Sequence, residues 1–295
     1  MKINKIVVGI GEILWDVFPE GKQLGGAPAN FAYHISQFGY DGYAVSAIGQ
    51  DKFGDEILES LIDKKLNCLF ESTFFPTGTV LVTVDNKGIP QYEICENVAW
   101  DNIPFTAEME KLARQTNAVC FGSLAQRNNA SRASINLFLN YIPESALIIF
   151  DINLRQHFYS MKLIVESLKR CNILKINDEE IRTLAKLFGW ESISDTGVCS
   201  QLIHDYRLKM VVLTCGENGS YVITVNETSF KETPKVKVAD TVGAGDSFTA
   251  TFVAAILNDK SISEAHQLAV DVSAYVCTQN GAMPEIPKEF LNRLN

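Results

Sequence analysis

Short apolar runs separated by amphipathic stretches recur along nearly the whole chain. KIVVGIG (from Lys5), YAVSAIG (from Tyr43), AVCFGS (from Ala118), ALIIFD (from Ala146), CNILKIN (from Cys171) and MVVLTCG (from Met210) are unbroken runs of strand length. Such runs predict strands buried on both faces. Helical spacing fills the intervals. Pro28 at a first-turn position and Gly39 just beyond the end bracket a helix over Ala29–Phe38. After Asp51, the residues Phe53, Ile57, Leu58, Leu61 and Ile62 share one helical face. Further helices are predicted over Ser131–Tyr141, Asp178–Phe188, Gly197–Tyr206, Asp246–Leu257 and Ser263–Thr278. Strands alternating with helices imply an α/β fold, with a mainly parallel sheet covered on both faces.

One stretch breaks this rhythm. Thr77–Trp100 alternates apolar and polar residues around a turn predicted at DNKG, Asp85–Gly88. That is the pattern of half-exposed antiparallel strands. With no helix to cover it, it predicts a small sheet projecting from the main body as a lid. The segment Glu12–Gly26 is a candidate to join it. No repeat, low-complexity tract or long linker divides the chain. The expectation is one domain over residues 1–295, with lid segments at about 12–24 and 77–101.

Charge narrows the function classes. Lys plus Arg is 26 and Asp plus Glu is 35, a net charge of −9. Such a surface repels nucleic acid and anionic membrane, so neither is expected as a partner. An anionic ligand needs a local positive field. The opening residues lack a signal peptide's long apolar core and cleavage site, and no apolar run is long enough to span a bilayer. The seven cysteines are odd in number and form no CxxC pair. Reduced, buried thiols in a cytoplasmic protein are expected, not disulfides or a zinc site.

The chemistry concentrates near residue 240. The segment KVKVADTV, Lys235–Val242, is predicted as a strand leading into Gly243-Ala244-Gly245 and then a helix. Small residues allow close backbone approach, and the first helical N–H groups lack internal partners. Together they form an anion hole. Asp246 follows at once. A purely anion-binding site would not want that acid, but a hydroxyl attacking a phosphoryl group would. Capping of its own helix is the alternative role. A dinucleotide fingerprint fits poorly, because the third glycine is missing, and no GxxxxGK[ST] occurs. A second constellation, LGGAPANFAYHISQFG from Leu24, sets paired glycines before a proline-initiated helix. There Asn30 offers both donor and acceptor, as polyol hydroxyls require, and Asp16 adds an acceptor.

These two stretches, GGAPANFAYHISQFG and DTVGAGDSF (Asp240–Phe248), resemble the signatures of the PfkB, or ribokinase-like, family of sugar kinases. The likeness covers the whole chain. GEILWDVFPEG, FGSLAQR and DINLR (Asp151–Arg155) are most similar to fructokinases. The resemblance implies a ribokinase-like three-layer α/β/α fold with a mainly parallel central sheet and a small β-sheet lid.

It also implies an ATP-dependent sugar kinase, acting on D-fructose to give fructose 6-phosphate. Asp246 would be the catalytic base and Gly243, Ala244 and Gly245 its anion hole. Asp16, Gly26, Asn30 and Arg155 would bind the sugar. Asn177 and Glu180, from N-x-x-E, would organise Mg²⁺ and the ATP phosphates largely through water, Glu180 otherwise being a first-turn helix acid. Thr214 and Gly216 would touch the nucleotide, unless TCGENGS is a plain turn. Asp240 would help hold a monovalent cation, K⁺, with carbonyls from QNGA (Gln279–Ala282).

An exposed lid face often pairs between subunits, so a homodimer through the lid is expected. Trp15 and Trp100 are expected in lid packing or at a subunit contact, not on a sugar ring. The rival activities are a 2-keto-3-deoxygluconate kinase, with Arg127 or Arg155 facing the acid, a ribokinase or a nucleoside kinase. A non-catalytic sugar sensor and a dehydrogenase represent other classes.

Overall fold

The computed structural model describes residues 5–84 and 90–294. The predicted turn at Asp85–Gly88 lies outside them. From the N-terminus come β1 (Ile6–Ile10), β2 (Leu14–Phe18), β3 (Gly21–Gly25), α1 (Ala27–Gln37), β4 (Asp41–Gly49), α2 (Lys52–Asp63), β5 (Asn67–Thr73), β6 (Gly78–Val84) and β7 (Pro90–Ile94). The middle of the chain forms α3 (Ala107–Ala113), β8 (Thr116–Phe121), α4 (Asn129–Tyr141), β9 (Leu147–Asp151), α5 (Met161–Leu168), β10 (Ile173–Asn177), α6 (Asp178–Phe188) and α7 (Asp195–Tyr206). The last third gives β11 (Met210–Thr214), β12 (Ser220–Ile223), β13 (Thr228–Lys231), α8 (Ala244–Leu257), α9 (Ile262–Val276) and α10 (Lys288–Asn292).

Nine strands form the main sheet, in the order β13-β12-β11-β10-β9-β8-β1-β4-β5. From β11 to β5 every pairing is parallel, and β12 and β13 close one edge as antiparallel strands. Alternation along each strand divides the core. Val8, Val119, Phe121, Phe150, Leu174 and Leu213 face α3–α7, whereas Val7, Ala118, Ile149, Ile173 and Val212 face α1, α8 and α9. This is the predicted three-layer α/β/α arrangement. The same alternation sets Asp151, the last residue of β9, and Lys175, in the middle of β10, on the α8 side.

All six strands predicted from apolar runs are present. The predicted strand Lys235–Val242 is not: the segment is irregular. Its Lys/Val alternation mimics a strand, but Val236, Val238 and Val242 are exposed and β13 already forms the sheet's edge.

The two segments expected to form the lid combine into a second sheet, in the order β3-β2-β6-β7. Its outer pairs are antiparallel, as predicted for β6–β7, but the middle pair β2–β6 is parallel. Both tryptophans anchor its root. Trp15 is packed with α1 and α2 and donates from Nε1 to Phe53 O at 3.0 Å. Trp100 is fully buried, with the Arg127 guanidinium over its ring.

Candidate active site

An open cleft of about 740 Å³ lies over the carboxyl ends of β1, β9 and β10, bounded on one side by the small sheet. This is where open parallel sheets bind ligands, and the size suits a small molecule.

Asp246 sits on the cleft floor in the first turn of α8. It does not cap that helix. Gly243 occupies the N-cap with φ of 77° and no side-chain bond. A Cβ on Gly243 would meet Ala282 O at 2.6 Å, so both backbone and packing demand glycine there. Asp246 Oδ2 instead accepts from Asn30 Nδ2 at 2.7 Å. Burial raises the Asp246 carboxyl from its ordinary 3.8 to about 6, and the Asp151 carboxylate adds to that. Asn30, Lys175 and Arg155 oppose the rise.

Asn30 reaches this point because α1 begins at Gly26. The Gly26 backbone has φ of 124°, a left-handed value, and its carbonyl accepts from the Ala29 and Asn30 N–H groups. Asp16 and Arg155 line the same end of the cleft. Burial raises the Asp16 carboxyl, while Arg155 lowers it.

Two charged residues to which the sequence assigned no role lie under the Gly243–Gly245 loop. Asp151 and Lys175 are register partners on β9 and β10, and Lys175 Nζ stands 3.3 Å from Asp151 Oδ1. Both are buried. The ammonium also crowds Gly245, where a Cβ would lie 3.2 Å from Nζ. Burial disfavours the Lys175 charge, but Asp151, Glu180 and Asp246 together hold its pKa above the usual lysine value. A net positive group beneath a helix N-terminus is the local field that an anion needs on an acidic protein. A lysine inside an otherwise apolar strand was the available sequence signal. A third missed residue, Glu12, interrupts the apolar run after β1 and is buried on the cleft floor.

The predicted phosphate and cation residues are more dispersed. Gly243 and Gly245 line the cleft, while the Ala244 N–H between them is turned to Thr241 O at 3.3 Å. Asn177 and Glu180 line it too, and they form a reciprocal cap on α6. Asn177 Oδ1 accepts from the Glu179 and Glu180 N–H groups, and Glu180 Oε2 accepts from Asn177 N. Glu180 Oε1 accepts from Leu154 N, which fixes the loop carrying Arg155. In that loop Asn153 and Gln156 hold φ of 42° and 47°, unusual for side-chain-bearing residues and common at functional sites.

Thr214 and Gly216 lie outside the cleft lining, where a short turn over Gly216–Asn218 joins β11 to β12. Asp240 clasps the loop before α8. Its Oδ1 accepts from Val242 N and its Oδ2 from Gly281 N, in the QNGA segment.

Arg127 is not available to a ligand. Its Nε and Nη2 bond Asp101 at 2.7 and 2.8 Å, and its plane packs on Trp100 and Phe158.

A cleft with an amide-held acid, a helix N-terminus and a buried ammonium suits phosphoryl transfer to a hydroxyl. The profile of the pfkB family of carbohydrate kinases matches residues 14–289. The chain belongs to this family. It is thus a sugar kinase, a phosphotransferase with an alcohol acceptor. It is 27% identical over 317 residues to an Arabidopsis thaliana protein named "Probable fructokinase-5", with 97% of this chain and 96% of that one covered.

Among solved structures, it is similar to Vibrio cholerae fructokinase bound to fructose, ADP and calcium. That match has 25% identity and a TM-score of 0.81, and covers 99% of each chain. A Thermotoga maritima 2-dehydro-3-deoxygluconokinase superposes with a TM-score of 0.85 at 18% identity, over 99% of this chain and 98% of that one. That last likeness is one of fold.

Proposed function

We propose that this sugar kinase transfers the γ-phosphoryl group of ATP to D-fructose, giving fructose 6-phosphate. The observation that carries the choice is the charge of the acceptor end of the cleft. Glu12, Asp16, Asp151 and Asp246 line it against Arg155 and Lys175, the latter paired with Asp151, while Arg127 is committed to Asp101. A neutral polyol fits this setting and a sugar acid is repelled, which weighs against a 2-keto-3-deoxygluconate kinase. The fructokinase relatives point the same way.

In this reading the sugar lies between the main sheet and the lid formed by β2, β3, β6 and β7. Asp16, Gly26, Asn30 and Arg155 hold it. Asp246, ionised and oriented by Asn30, accepts the proton of the attacking primary hydroxyl. The Gly243 and Gly245 N–H groups and Lys175 face the charge on the transferring phosphoryl group, while the Ala244 N–H stays with Thr241 O. Thr214 and Gly216 contact the nucleotide. Lid closure excludes water that would otherwise compete as acceptor.

Asn177 and Glu180 fit Mg²⁺ through water, because backbone N–H groups already occupy part of their oxygen capacity and Mg²⁺ keeps several waters. When bound, the ion would neutralise phosphate charge. Asp240 fits K⁺ less directly, since each carboxylate oxygen already accepts a backbone N–H. A double mutant of the Vibrio cholerae enzyme has been seen with fructose, ADP and potassium.

The outer lid face carries the exposed Leu81, and pairing of two such faces would give a homodimer. Among the described residues no helix is long and apolar enough to cross a membrane. Seven free cysteines suit the cytoplasm.

The deciding experiment is ADP release with Mg-ATP and potassium over fructose, glucose, mannose, ribose, 2-keto-3-deoxygluconate, adenosine and no acceptor. A kcat/KM for fructose well above the others is expected. Preference for the keto acid would overturn the fructose assignment and leave the phosphotransfer chemistry intact.

A further inference from the structure

The cleft floor holds acceptors that the protein leaves unsatisfied. Glu12 is only 4% exposed, yet its Oε2 has no hydrogen-bond partner. The same holds for Asn30 Oδ1 in a residue 3% exposed. Buried polar atoms normally find partners, and an unpaired carboxylate oxygen in such a place is destabilising. Glu12 and Asn30 both line the cleft. Glu12 also lines, with Asp151 and Asp246, a small pocket beneath its floor.

Other groups nearby do not serve Glu12. Lys175 is turned to Asp151, and Glu12 receives only its own backbone N–H. Burial pushes its carboxyl up to about 7, reinforced by Asp246 and Asp151 and opposed by Arg155. A group kept in this state needs a hydrogen-bond donor supplied from outside. Repulsion from Asp246 and Asp151 makes a neutral hydroxyl sufficient, because a hydroxyl can face either protonation state of the acid.

We infer that Glu12 is a sugar-binding residue whose free carboxyl oxygen accepts a hydroxyl of the bound acceptor, beside the hydroxyl that Asp246 orients. The inference rests on reading the cleft as the sugar site. Glu12 thereby selects for a hydroxyl at one sugar position and against the analogue that lacks it, since that analogue leaves the acid unpaired again.

The test compares wild type, Glu12→Met and Glu12→Ala by ADP release. The acceptors are the sugar that wild type turns over best and the set of its monodeoxy analogues. Glu12→Ala is expected to raise KM for the parent sugar about 10–100-fold, the effect of losing a charge-assisted bond, with kcat within a few-fold. One monodeoxy analogue should be poor for wild type, yet no worse than the parent sugar for Glu12→Ala. Equal discrimination among the analogues by wild type and variant overturns the inference.

Melting temperatures report folding. If Glu12→Ala does not fold, Glu12→Met, similar in volume but without the acceptor, carries the test: weakened discrimination at one position supports the inference, and unchanged discrimination overturns it. Failure of the cleft reading shows separately, as Asp16→Ala and Asp246→Asn variants that phosphorylate the parent sugar like wild type.

Discussion

Asn30 and Asp246, 216 residues apart in sequence, share a 2.7 Å hydrogen bond across the cleft floor. Its direction is informative. An amide N–H given to a carboxylate favours the ionised acid, against burial that disfavours it. The acid is thus aimed and kept ready by a residue on another helix.

Loss of that acid should be costly to turnover. Asp246→Asn is expected to lower kcat by about 10²–10⁴-fold, the usual range for a general base. Sugar KM should change little. Steady-state ADP release measures both, and near-normal kcat would remove Asp246 from the proton-transfer role.

The pH dependence has a defined sign. A free aspartate has a pKa of about 3.9, whereas Asp246 is raised to about 6. Because the base acts when ionised, kcat/KM should climb with pH through about 6 and level off above it. A profile flat down to pH 4.5 would contradict the raised value.

The same shift carries a stability consequence. The folded carboxyl ionises at about 6 and the unfolded one near 3.8, so the folded state is penalised above pH 6 and not below 3.8. Asp246→Asn should therefore stabilise the inactive protein at pH 7–8, by on the order of 3 kcal/mol. The gain should shrink as pH falls from 6 towards 4. Melting temperatures of both proteins across that range give the answer.

Lys175→Met removes the cation among Asp151, Glu180 and Asp246. Breaking a buried ion pair from one side destabilises by roughly 3–5 kcal/mol. In protein that still folds, the pH profile of kcat/KM should move upward, because Lys175 lowers the Asp246 carboxyl. An unshifted profile would separate Lys175 from the base.

Gly243→Ala forces a side chain into a left-handed backbone and against Ala282. The backbone penalty is about 1–2 kcal/mol. Displacing the start of α8 should lower kcat about 10²–10³-fold, as loss of an anion-hole donor does. Unfolding curves and kinetics together separate the two effects.

Much of the architecture was legible because buried parallel strands write themselves as apolar runs. The less apolar strands β5 and β13 lack such runs, and β12 is only four residues long; neighbours define all three. Conversely, Lys235–Val242 has a strand's alternation and no strand to pair with. The same divide runs through the site. Asp246, Gly26 and Asn30 stand in local motifs tied to helix starts. Lys175 and Asp151 meet only through the register of β9 and β10. Glu12 matters because of what burial leaves unpaired. Arg127 looked available in sequence, and only the fold shows Asp101 holding it.

The root of the small sheet has a mechanical consequence. Trp15 is hydrogen-bonded to the α2 backbone at Phe53, and Gly78 abuts the indole of the fully buried Trp100, where a Cβ would meet Nε1 at 2.2 Å. A joint packed so tightly acts as a clamp and leaves little play for swinging the whole sheet about its base. Compliance is left to the far end, where Gln156 Nε2 donates to Tyr92 O at 2.8 Å in an exposed setting. That single bond is a light catch, worth about 1 kcal/mol. The flap would then behave as a cantilever fixed at its heel, admitting sugar and shedding product by bending along β7 where Tyr92 meets Gln156.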